Sequence, residues 1–128
     1  MAASHSRPDL DAYSEAALMG PAELTGALRE VLGAKLVAYL GGVSETRITR
    51  QWAEGAVEID SHEVIERLRF AYRVARLIAD RDNKAVAQGW FQGMNCELDD
   101  RSPAQVVQQG RTLEDWSLVL AAARKFVA

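Results

Sequence analysis

The chain has 128 residues, enough for one domain or for two small lobes that share a core. With 48% apolar and 26% charged residues it has the composition of a globular protein, and its net charge of −3 argues against a free-standing, strongly basic nucleic-acid binder. Its single cysteine, Cys96, excludes an internal disulfide and a cysteine-rich zinc site. Because we find neither a signal peptide nor an apolar run near the roughly 20 residues of a membrane span, we expect a cytoplasmic protein without a membrane partner.

The first part of the chain predicts an arm followed by a lobe of three helices. Residues 1–20 are predicted to form a flexible N-terminal arm, because its first half has almost nothing to bury. Residues 13–19 fit a short helix that would end at the glycine and proline that follow. The lobe spans residues 21–59, and Pro21 is well placed as its first helical residue. Its helices are predicted over residues 21–32, 34–40 and 45–54.

The second and third helices of this lobe have the pattern of a helix-turn-helix. Gly41 and Gly42 permit a sharp turn, Val43 fills the junction, and Ile48 and Trp52 anchor the third helix to the second. The polar residues left facing outward could reach bases or phosphates, although a helical hairpin that merely packs on the next helix remains the alternative. These candidate DNA-binding residues are Ser44, which is also the expected N-cap, Glu45, Thr46, Arg47, Thr49 and Arg50.

Residues 60–81 predict one long central helix, with Asp60 as the expected N-cap. Its apolar side chains surround most of its circumference, so it needs cover from at least two directions, from the segments before and after it. A partner chain could supply a third cover. Arg67 interrupts the apolar arc and is expected to pair with Glu63, one turn back. The other charges form one narrow strip, which consists of Glu66, Arg69, Arg73, Arg76 and Asp80.

Residues 82–128 predict a second helical lobe. Ser102 and Pro103 are typical of an N-cap and a first helical residue. The last helix carries a broad apolar stripe that persists to Phe126 and Val127, and a partner or packing back on the core would explain apolar residues at a chain end. The helices of this lobe are predicted over residues 84–91, 103–109 and 112–128.

The sequence contains little that points to catalysis. His62 has no second ligand at metal spacing, and Cys96 has no evident activating base. Asp99 and Asp100 are neighbouring carboxylates, but beside a Ser-Pro cap they are typical of a turn. No glycine-rich loop could cradle a phosphate. We therefore predict neither an enzyme nor a bound metal or cofactor.

From Trp90 onward, the order of short motifs resembles the toxin-binding domain of the Xre/MbcA/ParS-type antitoxins. The tryptophan is followed by Asn95 and Leu98, a polar turn, the Ser-Pro cap, an apolar pair at residues 106–107, Gly110 and a closing apolar helix. The upstream helix-turn-helix and long apolar helix resemble the N-terminal part of the same family, so the resemblance covers roughly residues 24–128. The family usually has a small turn residue where Asp99 and Asp100 stand here.

This resemblance implies an antitoxin that partners a RES-domain toxin, which degrades NAD. The antitoxin would dock its C-terminal lobe on the toxin, block the NAD pocket with its last helix, assemble into oligomers and repress its own operon by binding operator DNA. The implied fold is all-α, with a helix-turn-helix lobe and a toxin-binding lobe joined by one long central helix. The candidate toxin-binding residues are Trp90, Asn95, Leu98, Arg101, Ser102, Pro103, Trp116, Leu120, Arg124, Lys125, Phe126 and Val127.

Two other functions fit the sequence. One is a stand-alone helix-turn-helix transcriptional regulator whose C-terminal lobe mediates dimerisation. It predicts operator binding without any partner, lost when Arg47 and Arg50 are replaced by alanine. The other is a structural or scaffold protein. A neighbouring gene for a RES-type toxin would favour the antitoxin.

Overall fold

The structure, a computed structural model, describes residues 8–110 and 112–128. Over these residues the predicted all-α fold class is confirmed, and none of the helices is long and apolar enough to cross a membrane. The helices are α1 (Pro8–Leu18), α2 (Pro21–Leu32), α3 (Ala34–Gly41), α4 (Thr46–Ala53), α5 (His62–Arg81), α6 (Lys84–Gln92), α7 (Pro103–Gln109) and α8 (Leu113–Val127), with a 3₁₀ turn at Cys96–Leu98.

The long helix α5 is the element around which the others pack, and it contacts α1, α2, α3, α6, α7 and α8. The prediction that it is covered from several directions is confirmed. Ser61 caps its first turn in place of the predicted Asp60, because the Ser61 hydroxyl accepts a 3.3 Å hydrogen bond from the Val64 amide. The apolar arc of α5 is buried within one chain, and its fully buried side chains include Leu68, Ala71, Val74, Ala75 and Ile78.

The N-terminal segment differs from the prediction. The flexible arm expected over residues 1–20 is wrong for residues 8–18, which form α1, a helix that begins five residues before the predicted one; residues 1–7 lie outside the described residues. Helix α1 packs on α5 and buries the small side chains of Ala12 and Ala16. The chain itself therefore supplies the third cover of α5, which the sequence left open to a partner.

Arg69 on α5 shows why α1 is held in place. Its Nη1 donates to the carbonyl oxygens of Ala16, at 2.6 Å, and Met19, at 2.8 Å. The last carbonyls of a helix receive no hydrogen bond from an N–H group of the same helix. A cation at that end can donate to them, and it also complements the helix dipole. The charged strip of α5 is thus a contact surface for α1.

A short turn, residues 42–45, joins α3 to α4. A Cβ atom on Gly41 would lie 2.8 Å from Cζ3 of Trp52, so the close packing of the two helices depends on a glycine there. Gly42 ends α3 with a φ of 75°, and its amide donates to the carbonyls of Ala38 and Tyr39. Gly42 thus has the turn-forming role that the sequence predicted, whereas Gly41 belongs to α3 and allows Trp52 to pack closely.

Arg67 ties α5 to the end of α3. It is buried, and its Nε donates to the carbonyl oxygen of Leu40 at 2.6 Å. Its Nη1 lies 3.6 Å from Oε1 of Glu63, which confirms the predicted pair. A buried guanidinium needs such partners because the interior does not solvate it.

The C-terminal helices begin at side-chain caps. The hydroxyl or amide oxygens of Asn83, Ser102 and Thr112 accept hydrogen bonds from the amides of Val86, Gln105 and Asp115. Between α6 and α7 the chain turns through Asp99 and Asp100, whose φ values are 57° and 64°. These two residues are therefore turn formers, as predicted, in a left-handed conformation that aspartate tolerates better than most residues.

Candidate partner-binding surfaces

The first candidate surface is the outer side of α4 and the turn before it. Ser44, Glu45, Thr46, Arg47 and Arg50 are all exposed there, as the sequence predicted. Glu45, rather than the predicted Ser44, stands at the N-cap and makes no side-chain cap bond. Its Oε1 lies 3.3 Å from Nη2 of Arg47, an exposed pair of the kind that is worth little in water and leaves the arginine available to another anion.

Thr49 does not belong to this surface. The sequence predicted that it faces outward, but it is fully buried, and its hydroxyl donates to the carbonyl oxygen of Thr46 at 2.7 Å. A threonine can bury its methyl group while bonding back to its own helix, and this satisfies the hydroxyl without solvent. Thr49 therefore supports α4 from below, beside the buried Trp52.

Sequence reasoning missed two residues of this surface. Lys35 and Tyr39 of α3 are exposed and line the same shallow depression as Thr46 and Arg47. Their spacing of four places them on one face of α3, next to the turn. That spacing is the signal that could have found them, whereas the prediction drew only on the turn and α4. The surface as observed carries three cations, because Lys35 joins Arg47 and Arg50.

The second candidate surface lies where α6 meets the end of α8. Trp90 is half-buried, and its ring centroid lies 6.3 Å from that of Phe126, which is 48% exposed. Lys125 is exposed beside Phe126, and its Nζ lies 3.0 Å from Oε2 of Glu97, which raises the pKa of Lys125 by hydrogen bonding and charge. We call Trp90, Lys125 and Phe126 the C-terminal patch. Met94, four residues after Trp90 and 83% exposed, is an apolar residue that the prediction omitted.

Several predicted toxin-binding residues are part of the core or of the backbone scaffold. Leu98, Pro103 and Leu120 are buried, so they cannot present a side chain to a partner in this conformation. Their apolar character is compatible with a docking surface, but the folded chain uses it for packing. Ser102 caps α7, and its hydroxyl accepts from the Gln105 amide at 3.1 Å.

Asn95 and Arg101 shape the loop before α7. The Asn95 side-chain oxygen accepts from the Glu97 amide at 2.9 Å, and the Asn95 amide donates to the Arg101 carbonyl at 3.2 Å. Arg101 is exposed, but its Nε is directed back to the carbonyl oxygen of Leu98 at 3.1 Å. The pair closes a compact loop that holds the end of α6 near α7.

The remaining predicted residues lie along α8. Trp116 is half-buried and stacks on Phe70 of α5, with ring centroids 4.9 Å apart and planes 12° apart. Arg124 is exposed but paired with Asp9 of α1, its Nε lying 2.7 Å from Oδ2. Val127 packs against the core. The chain end therefore packs back in part, while Phe126 keeps about half of its surface in solvent.

The structure holds no arrangement with an evident chemistry in the residues it describes. No cluster of three or more His, Cys, Asp or Glu side chains there could hold a metal ion. Cys96 is an exposed free thiol whose sulfur lies 4.0 Å from a carboxylate oxygen of Glu97. The two surfaces above are candidates for binding a partner.

Comparisons with known proteins leave the family open. No protein-family model, no curated protein and no solved structure matches this chain. What the chain binds therefore has to be inferred from its own residues and surfaces.

Proposed function

We propose that the chain is the cytoplasmic antitoxin of a toxin–antitoxin pair and that its C-terminal patch binds a RES-domain toxin and occludes the toxin's NAD pocket. The observation that carries this proposal is Phe126. It lies in the last turn of α8, where the neighbouring Val127 packs against the core, yet 48% of its own surface is exposed. Aromatic residues are enriched at protein–protein interfaces relative to the rest of the protein surface.

The surroundings of Phe126 support this interpretation. Trp90 provides a second aromatic ring with a polar N–H, and Lys125 and Glu97 provide a charged rim. An apolar centre with a polar rim is the usual anatomy of a binding surface. The order of motifs from Trp90 to Gly110 adds the resemblance to antitoxins. In this proposal the active form is an oligomer of the antitoxin or a hetero-oligomer with the toxin.

Phe126→Asp tests the C-terminal patch. We expect it to weaken binding to a RES-domain toxin at least 100-fold, because it places a charge in the apolar centre of the proposed interface. Binding is measured by calorimetry with purified proteins. The matched control is Val57→Asp, since Val57 is 45% exposed and lies in the loop after α4. Equal affinity of the two variants for the toxin would refute the role of Phe126.

The outer side of α4 supports an added role in operator binding. Its exposed cations, Arg47, Arg50 and Lys35, stand beside the hydroxyls of Ser44 and Thr46, which is the residue set that contacts phosphates and base edges. If this surface acts alone, the chain is a helix-turn-helix regulator whose C-terminal lobe mediates dimerisation. Binding to operator DNA without any toxin, together with wild-type toxin affinity of Phe126→Asp, would favour that alternative.

The double variant Arg47→Ala/Arg50→Ala tests the DNA-binding role. We expect the affinity for the operator to fall at least tenfold. We also expect the negative slope of log K against log salt to become shallower by about two, because two phosphate-neutralising charges are lost. Fluorescence anisotropy over a salt series measures both quantities. Arg81→Ala/Lys84→Ala, which also removes two exposed cations, is the control and should leave both unchanged. Identical slopes for the two double variants would contradict the assignment.

A further inference from the structure

Helix α1 packs on α5 through small side chains. The side chains that it buries are the small ones, Ala12 and Ala16, which are 2% and 3% exposed. Its large apolar side chains keep half or more of their surface exposed: Leu10 is 51% exposed, Leu18 86% and Tyr13 53%, with the Tyr13 ring over the guanidinium of Arg73. The free energy gained by burying apolar side chains scales with the area removed from water. Two alanines therefore stabilise the docked helix only weakly. The attachment of α1 therefore depends largely on its polar contacts and on the cation–π contact of Tyr13 with Arg73.

Those polar contacts are made by a row of arginines. Arg69 donates to a carbonyl in the last turn of α1, Arg73 pairs with Asp9 at 3.4 Å, and Arg76 pairs with Glu15. Arg124 of α8 also pairs with Asp9, its Nε lying 2.7 Å from Oδ2. We call these four residues, Arg69, Arg73, Arg76 and Arg124, the arginine face. Its cations are only partly buried, with side-chain exposures of 22% to 52%, so salt and competing anions can reach them.

The fit between α1 and the arginine face is incomplete. The Nε atom of Arg73 is buried without a hydrogen-bond partner among the described residues. A buried donor without a partner opposes docking. The connection to α2 is only Met19-Gly20, and no atom outside its immediate neighbours lies within 4 Å of a Cβ placed on Gly20. Helix α1 can thus leave without unfolding α2, whose start is set by Pro21.

We propose that the arginine face is a binding site for an acidic helix of another polypeptide, and that α1 occupies this site in the free chain and is displaced on binding. The arginines at 69, 73 and 76 lie on one side of α5 at helical spacing, which matches a row of carboxylates on a second helix. The two alanines of α1 show that the site admits a close helix-to-helix approach. A nucleic-acid backbone would match the charge but would have no small side chains to fill that contact.

A peptide of residues 8–18 is the probe for this site. It is labelled and titrated into the full-length chain and into the full-length variant Asp9→Asn/Glu15→Gln, in which α1 is detached by loss of its carboxylates. We expect the peptide to bind the variant at least tenfold more tightly, because α1 competes at high effective concentration in the wild type. The control variant Asp11→Asn/Glu23→Gln has the same net charge, alters two exposed acids and should behave as wild type.

Three results of this titration would overturn the proposal. One is equal affinity of the peptide for the wild type and for Asp9→Asn/Glu15→Gln. Another is that a peptide with the same two substitutions binds the full-length variant as tightly as the unsubstituted peptide does. The third is tighter binding of a random DNA duplex to the full-length variant than to the wild type. That result would assign the arginine face to phosphates.

Hydrogen exchange on the full chain tests the detachment of α1 directly. Raising the salt concentration to about 1 M, where the Debye length is about 3 Å, should speed exchange of the α1 amides at least tenfold and leave the α5 amides unchanged. Exchange of α1 at the rate of α5, without salt dependence, would contradict a detachable helix. Neither experiment contains a toxin, so either can fail while the C-terminal patch still binds one, and the reverse also holds.

Discussion

At the scale of single residues, Gly41 has the clearest consequence for stability. A Cβ at this position would lie 2.8 Å from a ring atom of Trp52, a buried residue that cannot swing into solvent. We therefore predict that Gly41→Ala destabilises the fold by about 1–3 kcal/mol, the range for overpacking a core. Urea unfolding followed by circular dichroism measures this change. The control is Gly89→Ala in α6, where a Cβ meets nothing within 4 Å and alanine should stabilise the helix by about 0.5–1 kcal/mol.

Tyr72 links a single ionisation to the attachment of α1. Its hydroxyl donates to the Glu15 carboxylate and accepts from Nη1 of Arg76 at 3.0 Å. Burial, and secondly the bond to Glu15, raise the pKa of Tyr72 above its ordinary value. Because the folded pKa exceeds the unfolded value of about 10, this contribution to stability is complete below about pH 10 and is lost as the pH rises through the folded pKa.

Glu15→Gln tests that linkage. We predict that it lowers the pKa of Tyr72 but not fully to the ordinary value, since the burial remains and only the carboxylate is lost. An alkaline titration followed by tyrosinate absorbance measures the shift. The variant Tyr72→Phe identifies the part of the absorbance change that belongs to Tyr72. Superimposable titration curves for the wild type and Glu15→Gln would contradict the hydrogen bond.

At the scale of the elements, periodicity is informative wherever large apolar residues recur. It predicts α5 and its wide buried arc, and the caps and glycines place α7 and the turn before α4. Periodicity finds only the second half of α1 and not its docking on α5, because the buried side chains described in α1, Ala12 and Ala16, are small and its other contacts are largely polar. The partners of Arg73 and Arg76 are 64 and 61 residues away along the chain, and no local pattern reveals such pairs.

The candidate surfaces are predictable to a smaller degree. The exposure of Arg47 and Arg50 follows from helical spacing, but the burial of Thr49 depends on how closely α4 approaches the core. Leu98 shows the same difficulty in a loop, since an apolar residue between polar neighbours can face a partner or the interior. Only the tertiary fold decides between the two, because local sequence does not encode which side of a short turn is covered.

At the scale of the whole molecule, the chain is a helical body with α5 at its centre and the proposed binding surfaces on its periphery. The outer side of α4 carries cations and hydroxyls, and the C-terminal patch carries aromatic residues with a charged rim. The arginine face lies between α5 and α8 and shares Arg124 with the residues first assigned to toxin binding. A partner that engages Arg124 would therefore compete with Asp9, which couples the α1 helix to events at α8.

Whether the C-terminal patch neutralises a toxin is tested most directly by NAD depletion. A purified RES-domain toxin is incubated with NAD and with equimolar wild-type chain, Val57→Asp or Phe126→Asp, and the remaining NAD is measured over time. We predict that the wild type and Val57→Asp preserve NAD while Phe126→Asp does not. Loss of NAD at the uninhibited rate in the presence of the wild-type chain would contradict the proposed function.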